Sequence, residues 1–406
     1  MAREYRDSGI EWIGQIPKEW EVVKGKHLLN LMSRPVRETD DVVTCFRDGE
    51  VILRSERRTE GFTMSDKEIG YQGINEGDIV IHGMDGFAGA MGISKSTGKG
   101  SPVLIVCNPK GTDDSRFIIY YLRSLAITNV FLALATGIRE RSCDLRWNKI
   151  SVLPFIRPQS NTQQKIACYL DKVCGEVDEM VTLQETMIEE LKAYKQSVIT
   201  EAVTKGLNPN APMRNSGIDW IGNIPKHWQM KRLKFMCEIQ TGNQDTQDAE
   251  QDGEYPFYVR SPKVEHSNKY SFEGEGILMA GDGAGAGRVF HHAFGKYAVH
   301  QRVYRLSSFD DIDTTFLFHY ISNLFCKVMD MGSAQSTVPS VRLPMLQNFV
   351  VCIPSIEEQQ HIATYLDTKC SEIDSLIVLK HAKIEELKEY KKSIIYEYVT
   401  GKKEVV

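Results

Sequence analysis

The chain has 406 residues, enough for two or three domains, and a formal net charge of −5 with 25% charged residues. Its first residues lack the apolar core of a signal peptide, and no stretch approaches the roughly eighteen apolar residues of a membrane span. We therefore expect a cytoplasmic protein with no membrane contact. Nine cysteines occur without CxxC spacing, which predicts neither a zinc site nor a disulfide framework.

A tryptophan-containing motif occurs twice. SGIEWIGQIPKEW at residues 8–20 returns as SGIDWIGNIPKHW at residues 216–228, with ten of thirteen positions identical. The segments that follow the two copies, residues 30–150 and 235–345, resemble each other only faintly. A duplicated frame with two diverged inserts predicts two different readers on one symmetric scaffold.

The two inserts share one internal pattern. GDIVIHGMDGFAGAMGIS at residues 77–94 parallels EGILMAGDGAGAGRVF at residues 275–290, each as an apolar strand, a glycine-rich turn and a second strand. A dinucleotide-binding loop would lead into a helix that receives the pyrophosphate. Because strand-like residues follow GDGAGAG, we do not predict a nucleotide site.

A second repeated segment predicts two long helices. QQKIACYLDKVCGEVD at residues 163–178 returns as QQHIATYLDTKCSEID at residues 359–374, after Pro158 and Pro354. Apolar positions three and four residues apart favour a coiled coil formed by the two helices, with Cys174 and Cys370 buried in it. The predicted seam is Ile166, Leu170, Val173, Val177, Met180, Met187, Leu191, Tyr194 and Val198 in the first copy, and Ile362, Leu366, Ile373, Leu376, Leu387, Tyr390 and Ile394 in the second.

Charge and motifs together favour a binding protein over an enzyme. The spans 171–204 and 367–400 hold fifteen acidic and nine basic residues, so the rest of the chain is near charge balance, and only local basic clusters indicate nucleic acid. No hydrolase, zinc-protease or kinase motif occurs. The Asn- or Asp-Pro-Pro-aromatic tetrapeptide of adenine methyltransferases is also missing. The sequence predicts a reader without an active site.

These features together resemble the specificity subunit of a type I restriction-modification system. The resemblance rests on WIGxIPxxW, the strand-glycine-strand insert and the helix start Gln-Gln-x-Ile-Ala-x-Tyr-Leu-Asp, all present twice and in tandem, and it covers nearly the whole chain. One departure is visible. The family has an acidic residue before the first Gln, which Glu357 and Glu358 supply in the second copy, whereas Asn161 and Thr162 stand in the first.

The resemblance implies an α/β fold of two globular target-recognition domains joined by two long antiparallel coiled-coil helices, with an internal pseudo-twofold repeat. The expected boundaries are 1–160 for the first recognition domain, 161–206 for the first helix, 207–355 for the second recognition domain and 356–406 for the second helix.

The same resemblance implies a non-catalytic subunit that reads bipartite double-stranded DNA, one half per recognition domain. Its expected partners are two methyltransferase subunits and restriction subunits. We expect no cofactor on this chain, because S-adenosylmethionine, ATP and magnesium belong to those partner subunits.

DNA contacts are expected from polar and basic side chains of the inserts. Arg pairs with guanine and Gln with adenine in the major groove, while Lys mostly meets phosphate. For each position a solvated surface charge is the alternative interpretation. The candidates are Arg37, Arg54, Arg57, Arg58, Lys95, Arg139 and Arg141 in the first insert, and Gln244, Arg260, Lys263, Arg288 and Arg302 in the second.

Framework positions have two interpretations, packing against the end of a long helix or contact with a partner subunit. They are Trp12, Trp20, Trp220, Trp228, Tyr169, Leu170, Tyr365 and Leu366.

Two other functions also remain open, a non-catalytic coiled-coil adaptor with two peptide- or protein-binding domains and a stand-alone enzyme whose site is not recognised. Diverged inserts between retained frames favour sequence readers over an enzyme, whose site would be retained in both copies.

Overall fold

The computed structural model describes residues 3–57, 69–133, 145–332 and 339–405, without the side chains of residues 331 and 332. It divides into two compact units, one of Met1–Gln184 with Ala382–Val406 and one of Glu185–His381. Each unit therefore contains one insert and one part of each long helix. No helix among the described residues is long and apolar enough to cross a membrane.

The described residues of the first unit form twelve strands and four short α-helices before the first long helix. They are β1 Tyr5–Asp7, β2 Gln15–Pro17, β3 Glu21–Lys24, α1 Gly25–Leu28, β4 Leu29–Leu31, β5 Val43–Cys45, β6 Val51–Leu53, β7 Gln72–Ile74, β8 Ile79–His82, β9 Met91–Ile93, β10 Gly98–Gly100, β11 Leu104–Pro109, α2 Ser115–Ile127, α3 Val130–Ala133, α4 Trp147–Val152 and β12 Pro154–Arg157. The long helix α5 Ser160–Lys205 follows and continues into the second unit.

The described elements of the second unit keep the number of strands, with two α-helices before the last strand. They are β13 Met213–Asn215, β14 Asn223–Pro225, β15 Gln229–Arg232, β16 Glu238–Thr241, β17 Tyr255–Tyr258, β18 Glu265–Ser267, β19 Phe272–Glu273, β20 Gly276–Ala280, β21 Phe290–Ala293, β22 Lys296–Val299, β23 Val303–Ser307, α6 Thr314–Gly332, α7 Leu343–Gln347 and β24 Val350–Ile353. The second long helix, α8 Ile356–Val399, then returns to the first unit.

Both inserts are built on the same four-stranded antiparallel sheet. Its strand order is β4-β11-β8-β9 in the first unit and β16-β23-β20-β21 in the second. Each insert begins and ends beside a strand pair formed by residues outside it, β3 with β12 and β15 with β24. The four-stranded sheet is thus retained despite the faint similarity of the insert sequences. The other described strands differ, pairing as β5-β6 and β10-β7 in the first unit and as β18-β17-β22-β19 in the second.

Each unit has its own core between the sheet and the long helices. In the first unit Phe117 and Tyr121 of α2 belong to the same buried cluster as Leu170 of α5 and Val399 of α8. The second unit repeats the arrangement with α6 in place of α2. Asp114 caps α2 by accepting hydrogen bonds from the backbone N–H groups of Arg116 and Phe117.

The long helices pair in antiparallel fashion within each unit. Lys391 contacts Asp178 at 2.7 Å in the first unit, and Lys195 contacts Asp374 at 2.6 Å in the second. Since Asp374 and Lys391 stand 196 residues after Asp178 and Lys195, one ion pair occurs twice with the two copies exchanging partners. The predicted fold class, including the paired helices and the internal repeat, is confirmed.

The predicted seam is wrong at four positions. Met180, Tyr194, Leu376 and Tyr390 are exposed by 47 to 58%. An α-helix has 3.6 residues per turn, so a strict heptad pattern drifts around its surface. The buried positions include the predicted Cys174, Val177, Cys370 and Ile373. They also include four that the predicted seam omits, namely Ile188 and Ile199 in α5 and Ile384 and Ile395 in α8.

Candidate nucleic-acid interface

The glycine-rich turn of each insert packs closely against a neighbouring segment that carries an arginine. A Cβ atom at Gly285 would lie 2.5 Å from the carbonyl oxygen of Arg260, and one at Gly89 would lie 3.1 Å from that of Arg47. Gly89 also has a φ of +90°. Glycine is required here because backbone meets backbone, and the result is that an aspartate of each turn faces the side chain of that arginine.

Asp282 joins two arginines in the second unit. Its Oδ1 accepts from Arg260 Nη1 at 2.9 Å and its Oδ2 from Arg302 Nη1 at 2.6 Å. Burial opposes the charged form, but hydrogen bonds from Arg302 and Arg260 outweigh it and lower the pKa of the Asp282 carboxyl. Asp282 is therefore ionised at neutral pH.

Two clefts flank Asp282. One, of 210 Å³, is lined by Gln301 and Arg302, and the other, of 380 Å³, by Thr246 and Arg260. Such concave surfaces lined by hydrogen-bond donors suit the edges of bases or the phosphates beside them.

The buried imidazole of His300 holds the backbone of Arg302, which lines one of these clefts. Its Nδ1 accepts from the backbone N–H of Arg302 at 3.0 Å, and burial lowers the pKa of the ring. Gln301 donates to Asp245 Oδ2 at 3.1 Å. The side chains of residues 300–302 are thus each held by a specific contact.

The side chains of the other candidates of the second insert contact groups other than Asp282. Gln244 donates to the carbonyl oxygen of Lys269 at 2.9 Å, and Lys263 pairs with Glu265 at 3.2 Å. Arg288 pairs with Asp330 at 2.9 Å and lines a 520 Å³ cavity with Lys192 of α5. The structure therefore brings together Arg260 and Arg302 but not Arg288.

The first unit has a related but different cluster. Asp85 pairs with Arg47 at 2.9 Å, and its backbone N–H donates to His82 Nδ1 at 3.0 Å. Arg57 pairs with Asp48 at 2.6 Å. Arg123 donates to the carbonyl oxygen of Asp48 at 2.7 Å, so Asp48 joins Arg57 and Arg123 in a second group.

Arg57 and Lys95 meet at a shared carboxylate. Glu50 contacts Arg57 at 3.3 Å and Lys95 at 3.0 Å, and the Arg57 guanidinium lies 4.4 Å from the ring centroid of Phe46. Arg54 is half-buried and donates to Thr44 Oγ1 at 3.2 Å, while Arg37 is exposed and not joined to this group by a recorded contact. Arg58, Arg139 and Arg141 lie outside the described residues.

Sequence reasoning named Arg260 and Arg302 but missed the aspartate that joins them and the pair in the first unit. Asp282, Asp85, Arg47 and Gln301 were not among the predicted contacts. The available signal was the Asp-Gly step that occurs in both glycine-rich turns, which was interpreted only as turn geometry.

The repeated tryptophans lie at the ends of the long helices. Trp20 is 2% exposed and would be 3.0 Å from a Cβ at Gly401, while Trp228 is 1% exposed and approaches Gly206 in the same way. Glu358 accepts from Trp228 Nε1 at 3.2 Å. The first copy has Thr162 in place of Glu358, so this contact is particular to the second unit.

The remaining framework positions divide by burial. Leu170 and Leu366 are fully buried, whereas Tyr365 is 37% exposed. Tyr169 packs on Tyr398 with ring centroids 4.5 Å apart. Trp12 and Trp220 are half-buried, and the latter stacks on Phe349.

Comparison with known proteins finds similarity to type I restriction-modification specificity subunits. A family model described as the type I restriction modification DNA specificity domain matches residues 225–389. The specificity subunit of the Escherichia coli type I restriction enzyme EcoDI is 30% identical over 154 residues, 38% of this chain and 34% of that protein. The putative type I restriction enzyme MjaX specificity subunit of Methanocaldococcus jannaschii is 23% identical over 96% of this chain and 95% of its own length.

Solved structures agree on the fold. A chain from a study of complex assembly and conformational transition of the type I R-M system aligns with a TM-score of 0.72 at 16% identity, covering 95% of this chain and 98% of its own. The HsdS subunit from Thermoanaerobacter tengcongensis gives 0.52 at 16% identity with the same coverage. The predicted resemblance to type I restriction-modification specificity subunits is thus confirmed, with residues 225–389 matching the DNA specificity domain model and nearly the whole chain sharing the fold of these structures.

Proposed function

We propose that the chain reads a bipartite double-stranded DNA sequence, with one half-site bound by each unit. The observation that carries this proposal is the Asp-Arg cluster at the glycine-rich turn of each insert. The two clusters occupy equivalent places beside the equivalent sheets of the two units. In one, Arg260 and Arg302 contact Asp282, and in the other Arg47 contacts Asp85. Equivalent positions with different donors are what two readers of different base sequences require.

The proposal includes two equivalent docking sites for methyltransferase subunits on the long helices. Three exposed apolar positions recur at a spacing of 196 residues, and each unit carries one set. The sets are Met180, Leu183 and Tyr390 in the first unit, and Leu376, Leu379 and Tyr194 in the second. Exposed apolar side chains retained in both copies favour a partner surface over chance exposure.

In this proposal the chain itself transfers no methyl group. S-adenosylmethionine, ATP and magnesium are bound by the methyltransferase and restriction subunits, and the assembled complex acts on chromosomal DNA in the cytoplasm. Purified chain mixed with S-adenosylmethionine and DNA should transfer no methyl groups unless the methyltransferase subunits are added.

Mapping of methylated adenines in the native genome tests the reading function. Deletion of the gene for this chain should abolish methylation at one motif made of two specified halves separated by unread base pairs. Unchanged methylation after deletion would refute the proposal. Loss of methylation at a single uninterrupted motif would refute the assignment of one half-site to each unit.

A further inference from the structure

Asp282 lies beneath the two arginines that it joins. Its side chain is 16% exposed, whereas those of Arg260 and Arg302 are 41% and 62% exposed. Each guanidinium offers five N–H donors, and the contact with Asp282 uses one nitrogen of each. The remaining donors are therefore available on the exposed side, with the carboxylate fixing where they lie.

We propose that Asp282 is a positioning residue that sets DNA sequence selectivity in the second unit by holding Arg260 and Arg302 in one arrangement. The inference rests on the proposed DNA-reading function and adds to it a residue that contacts the arginines rather than the DNA. Two arginines fixed by one carboxylate can match the spacing of acceptors on particular base edges.

The charge of Asp282 has a second effect. A free arginine is attracted to any phosphate, and such contacts strengthen binding to all sequences alike. The carboxylate offsets part of the positive charge of the pair, so it weakens that unspecific attraction. Geometry and charge thus act in the same direction, and both raise the ratio of specific to non-specific binding.

Stability gives no sufficient reason for this arrangement. Ion pairs between side chains as exposed as Arg302 contribute little to folding, because solvent screens them. Two arginines directed to one carboxylate also repel each other. Their convergence at a cleft is better explained by a ligand that uses the outward-facing donors.

Asp85 forms a similar aspartate–arginine contact at the glycine-rich turn of the first unit. It holds Arg47, whose side chain is 68% exposed, and itself is 34% exposed. The same proposal therefore assigns Asp85 to selectivity at the first half-site, so each aspartate serves as a control for the other.

The experiment compares the full chain with its Asp282→Asn, Asp282→Glu and Asp85→Asn variants, each in complex with the methyltransferase subunits. Duplexes of randomised sequence are selected for binding, and affinity is then measured against salt for selected and scrambled DNA. Asp311→Asn is the charge control, since this residue is 72% exposed, pairs with Lys231 and follows the end of β23 that is remote from Asp282.

We expect Asp282→Asn to lose at least about tenfold in discrimination at the second half-site, because the arginines are no longer fixed. Its binding to scrambled DNA should strengthen, with a steeper salt dependence, because the arginines are free to meet phosphate. Asp282→Glu should recover part of the discrimination. Asp85→Asn should change the first half-site alone, and Asp311→Asn neither.

Several outcomes would overturn the inference. Asp282→Asn could behave like Asp311→Asn, or it could lose affinity for all DNA with its selectivity intact. Equal damage by Asp282→Asn and Asp282→Glu, with lowered unfolding midpoints, would assign Asp282 to folding instead. If the unsubstituted complex enriches no sequence, the proposed function itself fails, and this is established before any variant is compared.

Discussion

Gln163 and Gln359 lie in the first turn of the two long helices, and the side-chain amide of each both accepts and donates a hydrogen bond. Each is 1% exposed. Gln163 accepts from the backbone N–H of Asp114 at 2.9 Å and donates to Pro158 O at 2.8 Å. Gln359 makes the equivalent contacts with Asp313 and Pro354. The first glutamine of the repeated Gln-Gln pair therefore joins a long helix to the start of α2 or α6, and the second glutamine is exposed.

Substitution of Gln163 by Leu should destabilise the first unit by about 1 to 3 kcal/mol, because buried backbone donors and acceptors lose their partners. The neighbouring Gln164→Leu variant should change stability by less than about 0.5 kcal/mol, since its side chain is exposed. Urea unfolding followed by circular dichroism measures both. Equal effects of the two variants would show that the buried hydrogen bonds are not what stabilises the junction.

Arg57 and Arg58 are adjacent, and Arg57 is held by Asp48 and Glu50. Substitution of both arginines by Ala should weaken DNA binding by about 1 to 3 kcal/mol if one of them makes a bidentate base contact. The loss should be confined to the first half-site. Competition binding at matched salt measures it, with Lys18→Ala as a control for removal of positive charge outside the insert. Unchanged affinity would mean that both arginines are solvated surface charges that do not contact DNA.

Among the elements, the long helices could be predicted from sequence, but their buried line could not be placed throughout. Spacing of three and four residues and a duplicated pattern identify a paired helix, and Pro158 and Pro354 mark its start. The choice between Val198, which was predicted, and Ile199, which is buried, depends on how each helix turns against the other. Met180 and Tyr194 fit the apolar spacing, but their side chains are exposed and do not contribute to the buried line between the helices.

The repeated exposed positions predict how partners bind. Met180→Glu combined with Leu376→Glu should abolish co-purification of methyltransferase subunits, because a charge at each apolar surface must be desolvated on docking. The free energy of unfolding should remain within about 0.5 kcal/mol, as expected for exposed sites. Val378→Glu is the matched control, since Val378 is 65% exposed but its counterpart in the first copy is Thr182.

Loss of the partner with Val378→Glu as well would indicate a general effect of added charge. Retention of two methyltransferase subunits by the double variant would contradict the proposed docking sites. Loss of one subunit in each single variant is the intermediate result that two equivalent sites require.

For the whole molecule, the duplication was visible in sequence, whereas the grouping of Arg260 and Arg302 around Asp282 was not. The frame repeats because both copies meet the same helices, so its residues can be aligned by eye. Asp282 and Arg302 come together only when β20 and β23 pair, with Ala280 opposite Val303. Contacts made across a sheet depend on register and turn geometry, which propensity does not determine.

The two-unit structure also corrects where an insert should be exchanged. The segment 30–150, which sequence similarity delimits, begins inside β4. In a chimera joined there, β4 would contain both host and donor residues while its partner β11 came entirely from the donor. Residues 25–153 lie between β3 and β12, which pair with each other and leave the whole four-stranded sheet in one piece. We therefore expect a chimera joined at residues 25 and 153 to fold better than one joined at residues 30 and 150.

A chimera with residues 25–153 from a relative should change the first half-site and leave the second intact. The second unit keeps its own core and its Asp282 cluster, so nothing that reads the second half-site is altered. The first unit should lose some stability, because donor residues at the position of Tyr121 must pack against Leu170 and Val399 of the host helices. Mapping of methylated adenines in cells that carry the chimera gives both half-sites in one measurement. A simultaneous change at the two half-sites would mean that selectivity is shared between the units, and the assignment of one reader to each unit would have to be abandoned.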